Sequence, residues 1–132
     1  MRHMMSDFTI AVAPQIADSD QGVIELSVLI GRDVTLYCRV TAGAPTPSIE
    51  WMHDNGTIEW TPEGAVLKEG GVASLLPPEL QSLRLEERGQ VLRLDGAMLL
   101  DDGAWSCRAS NPAGTASKEF LLNVLSLSTV IQ

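Results

Sequence analysis

The sequence predicts an all-β fold, two sheets packed face to face in a sandwich. Short runs alternating apolar and polar residues recur along the chain, and Gly, Pro, Asn and Asp separate them. Seven to eight such runs fit in about 120 residues, as a sandwich requires. At 132 residues with 45% hydrophobic and 20% charged residues, the chain has the balance of one globular domain with a sizeable core.

The elements follow in order. Val23 to Leu29 reads as an edge strand, preceded by another near Phe8 to Val12. After the turn Gly31-Arg32-Asp33, Val34, Leu36, Cys38 and Val40 alternate with Thr35, Tyr37 and Arg39, which puts the first set on the core face. Thr41 to Pro47 is expected to break regular pairing, because proline cannot donate to a ladder. Ile49 and Trp51 share one side of the next strand, and Asp54-Asn55-Gly56 is a strong hairpin signal. Leu83 and Leu85, a turn at Glu87-Arg88-Gly89-Gln90, then Leu92 and Leu94 predict another hairpin. Trp105, Cys107 and Ala109 share a face, and the last strand offers Phe120, Leu122 and Val124 inward.

The segment from Thr57 to Ser82 carries several glycines and prolines. It predicts a short strand near Thr57–Thr61, then a long irregular excursion, with a helical turn near Pro78–Leu83. Met1 to Met5 reads as a cloning remnant, residues 6–125 as the domain, and residues 126–132 as a tail or linker.

Charge excludes more than it selects. A net charge of −8, with the nine basic residues scattered singly, argues against nucleic acid and anionic membranes. No apolar stretch approaches the ~18–20 residues that span a bilayer. Cys38 and Cys107 lack the spacing of a paired zinc motif, so they either pair across the fold or stay reduced in a core.

Cys38, Trp51 thirteen residues on, Cys107 and the stretch Asp101-Asp102-Gly103-Ala104-Trp105-Ser106-Cys107 resemble the immunoglobulin superfamily. That stretch is similar to the family's D-x-G-x-Y-x-C signature, with Trp105 in place of tyrosine. Leu92, Leu94 and Ala97 match the L-x-I-x-x-V positions. Gly43-Ala44-Pro45-Thr46-Pro47 ahead of Trp51, and Asn111-Pro112-Ala113-Gly114, resemble the I-set subclass. The resemblance covers roughly residues 22–125. It implies a Greek-key sandwich with a long loop between the C' and D strands, a Cys38–Cys107 bridge between the sheets, and a core around Trp51, Trp105, Leu36 and Leu94. It also implies that Asp101 pairs with Arg84 or Arg88. At Trp105 the hydroxyl of the family's tyrosine corner is missing: either the indole N–H substitutes in a different geometry, or the corner bond is lost and packing compensates, the second being the expectation.

No catalytic pattern appears. His53, the one histidine outside the remnant, stands beside a turn and is expected to be exposed, without the partners a metal needs. Adjacent Asp101-Asp102 point apart in extended chain, which is poor geometry for acid–base work. The chain is therefore read as a non-enzymatic protein without cofactor. Asn55-Gly56-Thr57 is a glycosylation sequon. Leu75-Leu76-Pro77-Pro78 reads as a capping loop rather than a docking ligand. Trp60, at a strand edge, is either a cover for the core or an anchor for a partner.

The resemblance implies a protein-interaction module of an extracellular adhesion, receptor or matrix protein, binding a protein ligand or neighbouring domains and monomeric in isolation. The other reading is a structural spacer in an intracellular cytoskeletal or sarcomeric chain.

Overall fold

Alternation of side chains across a pleated strand decides which residues face inward here, and long-range pairing decides which strands meet. The computed structural model describes residues 10–53, 56–69, 72–75 and 82–126. Its twelve strands are β1 (Val12–Ile16), β2 (Ile24–Leu29), β3 (Val34–Tyr37), β4 (Val40–Ala44), β5 (Ser48–His53), β6 (Gly56–Thr61), β7 (Gly64–Glu69), β8 (Val72–Leu75), β9 (Leu83–Glu86), β10 (Val91–Leu94), β11 (Gly103–Asn111) and β12 (Gly114–Leu125).

One layer is the seven-stranded sheet β2-β12-β11-β5-β6-β7-β8. Its pairings are antiparallel except β2 on β12, which is parallel. The other layer holds β3-β10-β9 and the pair β1-β4. β3 and β4 are one run interrupted at Cys38-Arg39. There Cys38 N–H donates to the Gln90 carbonyl at 2.7 Å, and Val40 N–H donates to Gln90 Oε1 at 3.0 Å. The backbone groups freed by the break are thus re-satisfied.

The core between the layers includes Leu36, Leu92 and Leu94 from one side and Ile49, Trp51, Trp105, Phe120 and Leu122 from the other. Cys38 and Cys107 are joined by a disulfide, with Cα atoms 6.4 Å apart. Trp51 is wholly buried, stacks on Phe120 at 5.7 Å, and donates its indole N–H to the Gly89 carbonyl at 2.7 Å.

Several expectations need correction. The excursion after Thr61 is not irregular throughout, since β7 and β8 extend the sheet beyond β6. Leu67 points into the core opposite Ile58 and Ala65 packs against it, and with the Thr61–Gly64 turn they keep this short run in the ladder. The first strand starts at Val12 rather than ending there, and Pro14 is tolerated because β1 is an edge strand with shifted register. Thr41 to Ala44 pairs with β1 instead of breaking, and the break waits until Pro45. Gly43 permits this at φ 145°, where a Cβ would lie 2.7 Å from the Pro47 ring. Phe8, the 78–83 turn before Ser82, the Leu76-Pro77-Pro78 run, the remnant and residues 127–132 lie outside the described residues.

Lys118 was not foreseen. It sits on the inward row of β12 with 5% exposure, and its ammonium donates to the Tyr37 carbonyl at 2.9 Å across the gap between layers. Burial lowers its pKa from the ordinary lysine value, while the charge of Asp18 opposes the shift. The chain crosses layers between β1 and β2, leaving part of the β3 edge without a neighbouring strand, and the lysine occupies that place.

Replacing both cysteines by alanine is expected to lower unfolding stability by about 4 kcal/mol, the chain-entropy value for a loop of this length. Urea denaturation of oxidised wild type and the Cys38→Ala/Cys107→Ala variant measures it, and equal midpoints would contradict it.

Candidate interaction site

Two regions concentrate the side chains that the sequence singles out. The first is the loop between β10 and β11. It contains the 310 turn Leu99–Asp101, in which Asp101 N–H donates to the Met98 carbonyl at 2.9 Å and Met98 N–H donates back to Asp101 Oδ2 at 2.8 Å. Asp102 turns the other way, and its Oδ2 accepts from Val124 N–H at 2.7 Å. Adjacent acids pointing apart are therefore two separate loop anchors.

Asp101 does not pair with Arg84 or Arg88. It is 2% exposed, and Arg84 instead meets Asp95 at 2.9 Å. An arginine on the outer face of β9 cannot reach a carboxylate that is folded back on its own turn. Burial raises the Asp101 pKa above the usual carboxylate value; the Met98 hydrogen bond and the charge of His53 oppose the shift.

Trp105 also departs from expectation. Its indole N–H donates to the Asp101 carbonyl four residues upstream at 2.9 Å, in a buried bond. The corner bond is replaced by this donor rather than lost to packing, because an N–H on a larger ring reaches the same loop. His53 is half-buried rather than exposed. Its ring lies parallel to Trp105 at 4.0 Å, with Nε2 3.1 Å from the Asp102 carbonyl. Among the described residues no three His, Cys, Asp or Glu side chains converge as a metal site would require.

The second region surrounds Trp60. It is half-buried, and its Cβ would lie 3.4 Å from a side chain added at Gly89, so it leans on the β9–β10 turn. Glu87, Arg88 and Gly89 in that turn all have positive φ. Trp60 lines a shallow groove of about 280 Å³ with Pro47, Glu50, Glu59 and Arg88. Glu50 and Glu59 are directly opposite across β5 and β6, and each is matched by a cation: Arg108 at 3.0 Å and Lys68 at 2.8 Å. The hydrogen bond that Lys68 donates to Glu59, and then the charge of that carboxylate, raise the Lys68 pKa. Asp54 and Asn55 lie outside the described residues, between His53 and Gly56, which pair in register. The groove offers an aromatic wall, fixed charges and the hydroxyls of Thr46 and Ser48.

Two antiparallel-rich layers with an inter-layer disulfide and a buried indole beside it define an immunoglobulin-like domain. The chain belongs to the immunoglobulin domain family, whose pattern matches residues 13–111. It is 38% identical to hemicentin-2 of Mus musculus over 106 residues, 80% of this chain and 2% of that protein. It is 32% identical to myopalladin of Mus musculus over 99 residues, 75% of this chain and 7% of that protein. The immunoglobulin fold also matches the crystal structure of the titin M10–obscurin-like 1 Ig complex, with TM-score 0.59, 24% identity, and coverage of 89% of this chain and 97% of that one. The chain thus spans a small fraction of the hemicentin length. As a family member it is a protein-interaction module and not an enzyme.

Two outcomes are expected for the loop. Trp105→Phe should cost about 1–3 kcal/mol through the orphaned Asp101 carbonyl alone, read by chemical denaturation; unchanged stability would show that the bond contributes nothing. Asp101 binds its proton more tightly folded than unfolded, so its contribution to stability is full below the ordinary carboxylate pKa and is lost as pH rises through the raised value. Asp101→Asn keeps an oxygen for Met98 and removes this titration. Its stability relative to wild type should climb across that window and then level off.

Proposed function

We propose that this chain is a binding module of an extracellular adhesion, receptor or matrix protein, covering about residues 6–125 of a longer polypeptide. The observation carrying this reading is the Cys38–Cys107 bridge, since such bonds persist in oxidising compartments and are uncommon in the cytosol. The hemicentin relatives, extracellular proteins, support it. In that setting Asn55 accepts a glycan. The groove at Trp60 receives a protein ligand, with the indole as anchor and Arg88 and the two glutamates setting orientation.

A spacer role in a cytoskeletal chain is favoured by the resemblance to myopalladin, a cytoskeletal protein. There both cysteines would remain reduced. Thiol titration of denatured protein purified from its native source under alkylating conditions separates the two readings. No free thiol at Cys38 or Cys107 is the expected result; two free thiols would overturn the extracellular assignment.

A further inference from the structure

The three tryptophans of this domain use their indole N–H groups differently. Trp51 donates to the Gly89 carbonyl and Trp105 to the Asp101 carbonyl, each in a buried bond. Trp60 lines the groove beside the β9–β10 turn, and its N–H meets no acceptor among the described residues. Arg88, on the same groove, likewise has no hydrogen-bond or ion-pair partner among them. The two carboxylates there are already matched, Glu50 by Arg108 and Glu59 by Lys68. The hydroxyls of Thr46 and Ser48 can serve either as donors or as acceptors. What stays unanswered is one indole N–H and one guanidinium beside apolar surface, so a ligand that fits must bring acceptors.

Both walls of the groove stand before anything binds. Trp51 N–H holds the Gly89 carbonyl at 2.7 Å, which fixes the turn that Trp60 leans on. On the other side Asn111 Nδ2 donates to the Pro45 carbonyl at 3.0 Å and to the Val12 carbonyl at 2.8 Å, so the stretch leading to Pro47 is tied to the β11–β12 turn. The strands beneath are interior, β5 between β11 and β6, and β6 between β5 and β7, so no ladder edge is open there for a peptide to join. At about 280 Å³ the groove is also smaller than the roughly 300–1,000 Å³ in which small molecules are enclosed. These limits leave a segment of chain laid across the surface and held by its carbonyls.

We propose that the Trp60 groove takes a proline-rich segment of its protein partner in the polyproline II conformation, with Trp60 and Arg88 donating to the segment's carbonyl oxygens. Proline is the residue that brings a backbone acceptor and no backbone donor, which complements what the groove leaves unmatched. The polyproline II helix has no internal hydrogen bonds, so its carbonyls are open to the two donors. Its rings pack against the indole and Pro47, as in other aromatic-lined grooves that take such segments. The segment is ordered before it docks and the walls are already fixed, so two preformed surfaces meet at a small entropic cost. The inference rests on reading the groove as the site of a protein ligand, and it names the kind of sequence that ligand presents. It is independent of compartment, so a thiol result that displaces the extracellular reading leaves it standing.

The indole N–H resonances of the nitrogen-15-labelled protein report the three tryptophans separately. Titration with an end-blocked oligoproline peptide should move the Trp60 signal downfield and leave those of Trp51 and Trp105 in place. An end-blocked Ser-Leu repeat of equal length should move none of them. Trp60→Phe keeps an aromatic wall without the donor, and it should weaken oligoproline binding about tenfold in calorimetry. The wild-type titration decides the matter even where that variant fails to fold. An equal Trp60 response to both peptides would overturn the choice of proline while leaving the groove a protein site. No Trp60 response to either peptide would overturn the inference and the groove's role together. Oligoproline bound as tightly by Trp60→Phe as by wild type would overturn the indole hydrogen bond and, with it, the argument for proline. A larger Trp60 shift with a methyl glucoside than with oligoproline would assign the groove to sugars and overturn the proposed occupant.

Discussion

The two layers are held in one relative position by a sulfur bridge and one indole. Cys38 and Cys107 supply the covalent tie, and Trp51 fills the space beside it while its N–H reaches the Gly89 carbonyl. That bond explains an otherwise costly turn. Glu87 and Arg88 adopt left-handed conformations, which ordinary side chains disfavour, and the turn they form presents a carbonyl inward to the indole. Gly89 itself has φ 94°, a conformation that residues with side chains rarely adopt, and a Cβ there would just touch Ile49 and Trp60. Core packing, turn geometry and the position of Trp60 are consequently one constraint.

The core was legible because its signals are local. Alternation around Cys38, Trp51 and Cys107 fixes inward faces, and the strand bearing Leu92 and Leu94 obeys the same period. What escaped depends on partners far along the chain. Nothing near Lys118 marks it as the residue that reaches Tyr37, 81 positions away. Nothing near Gln90 marks its side chain as the patch over the break at Arg39. The strands β7 and β8 were missed because glycine-rich, proline-flanked sequence looks irregular until a neighbouring strand supplies the ladder.

The site residues divide in the same way. Trp60 stood out by type alone, yet its groove required three separated segments, around Pro47, Glu59 and Arg88, to converge. Asp101 and Trp105 were noticed through a resemblance that assigned them family roles. Geometry reassigned both: the carboxylate serves its own turn, and the indole serves the carboxylate's backbone. A substitution of tyrosine by tryptophan at such a corner preserves a donor while changing where it points.

Lys118 has one more consequence. A strand edge left bare by a chain that switches layers is a template for a stranger's backbone, and domains strung together meet strangers at high local concentration. Here the exposed carbonyl is already engaged by an ammonium group arriving from the opposite layer. A flexible, charged side chain thus does the work of a missing strand, and it does so without offering a further edge to which anything could be added.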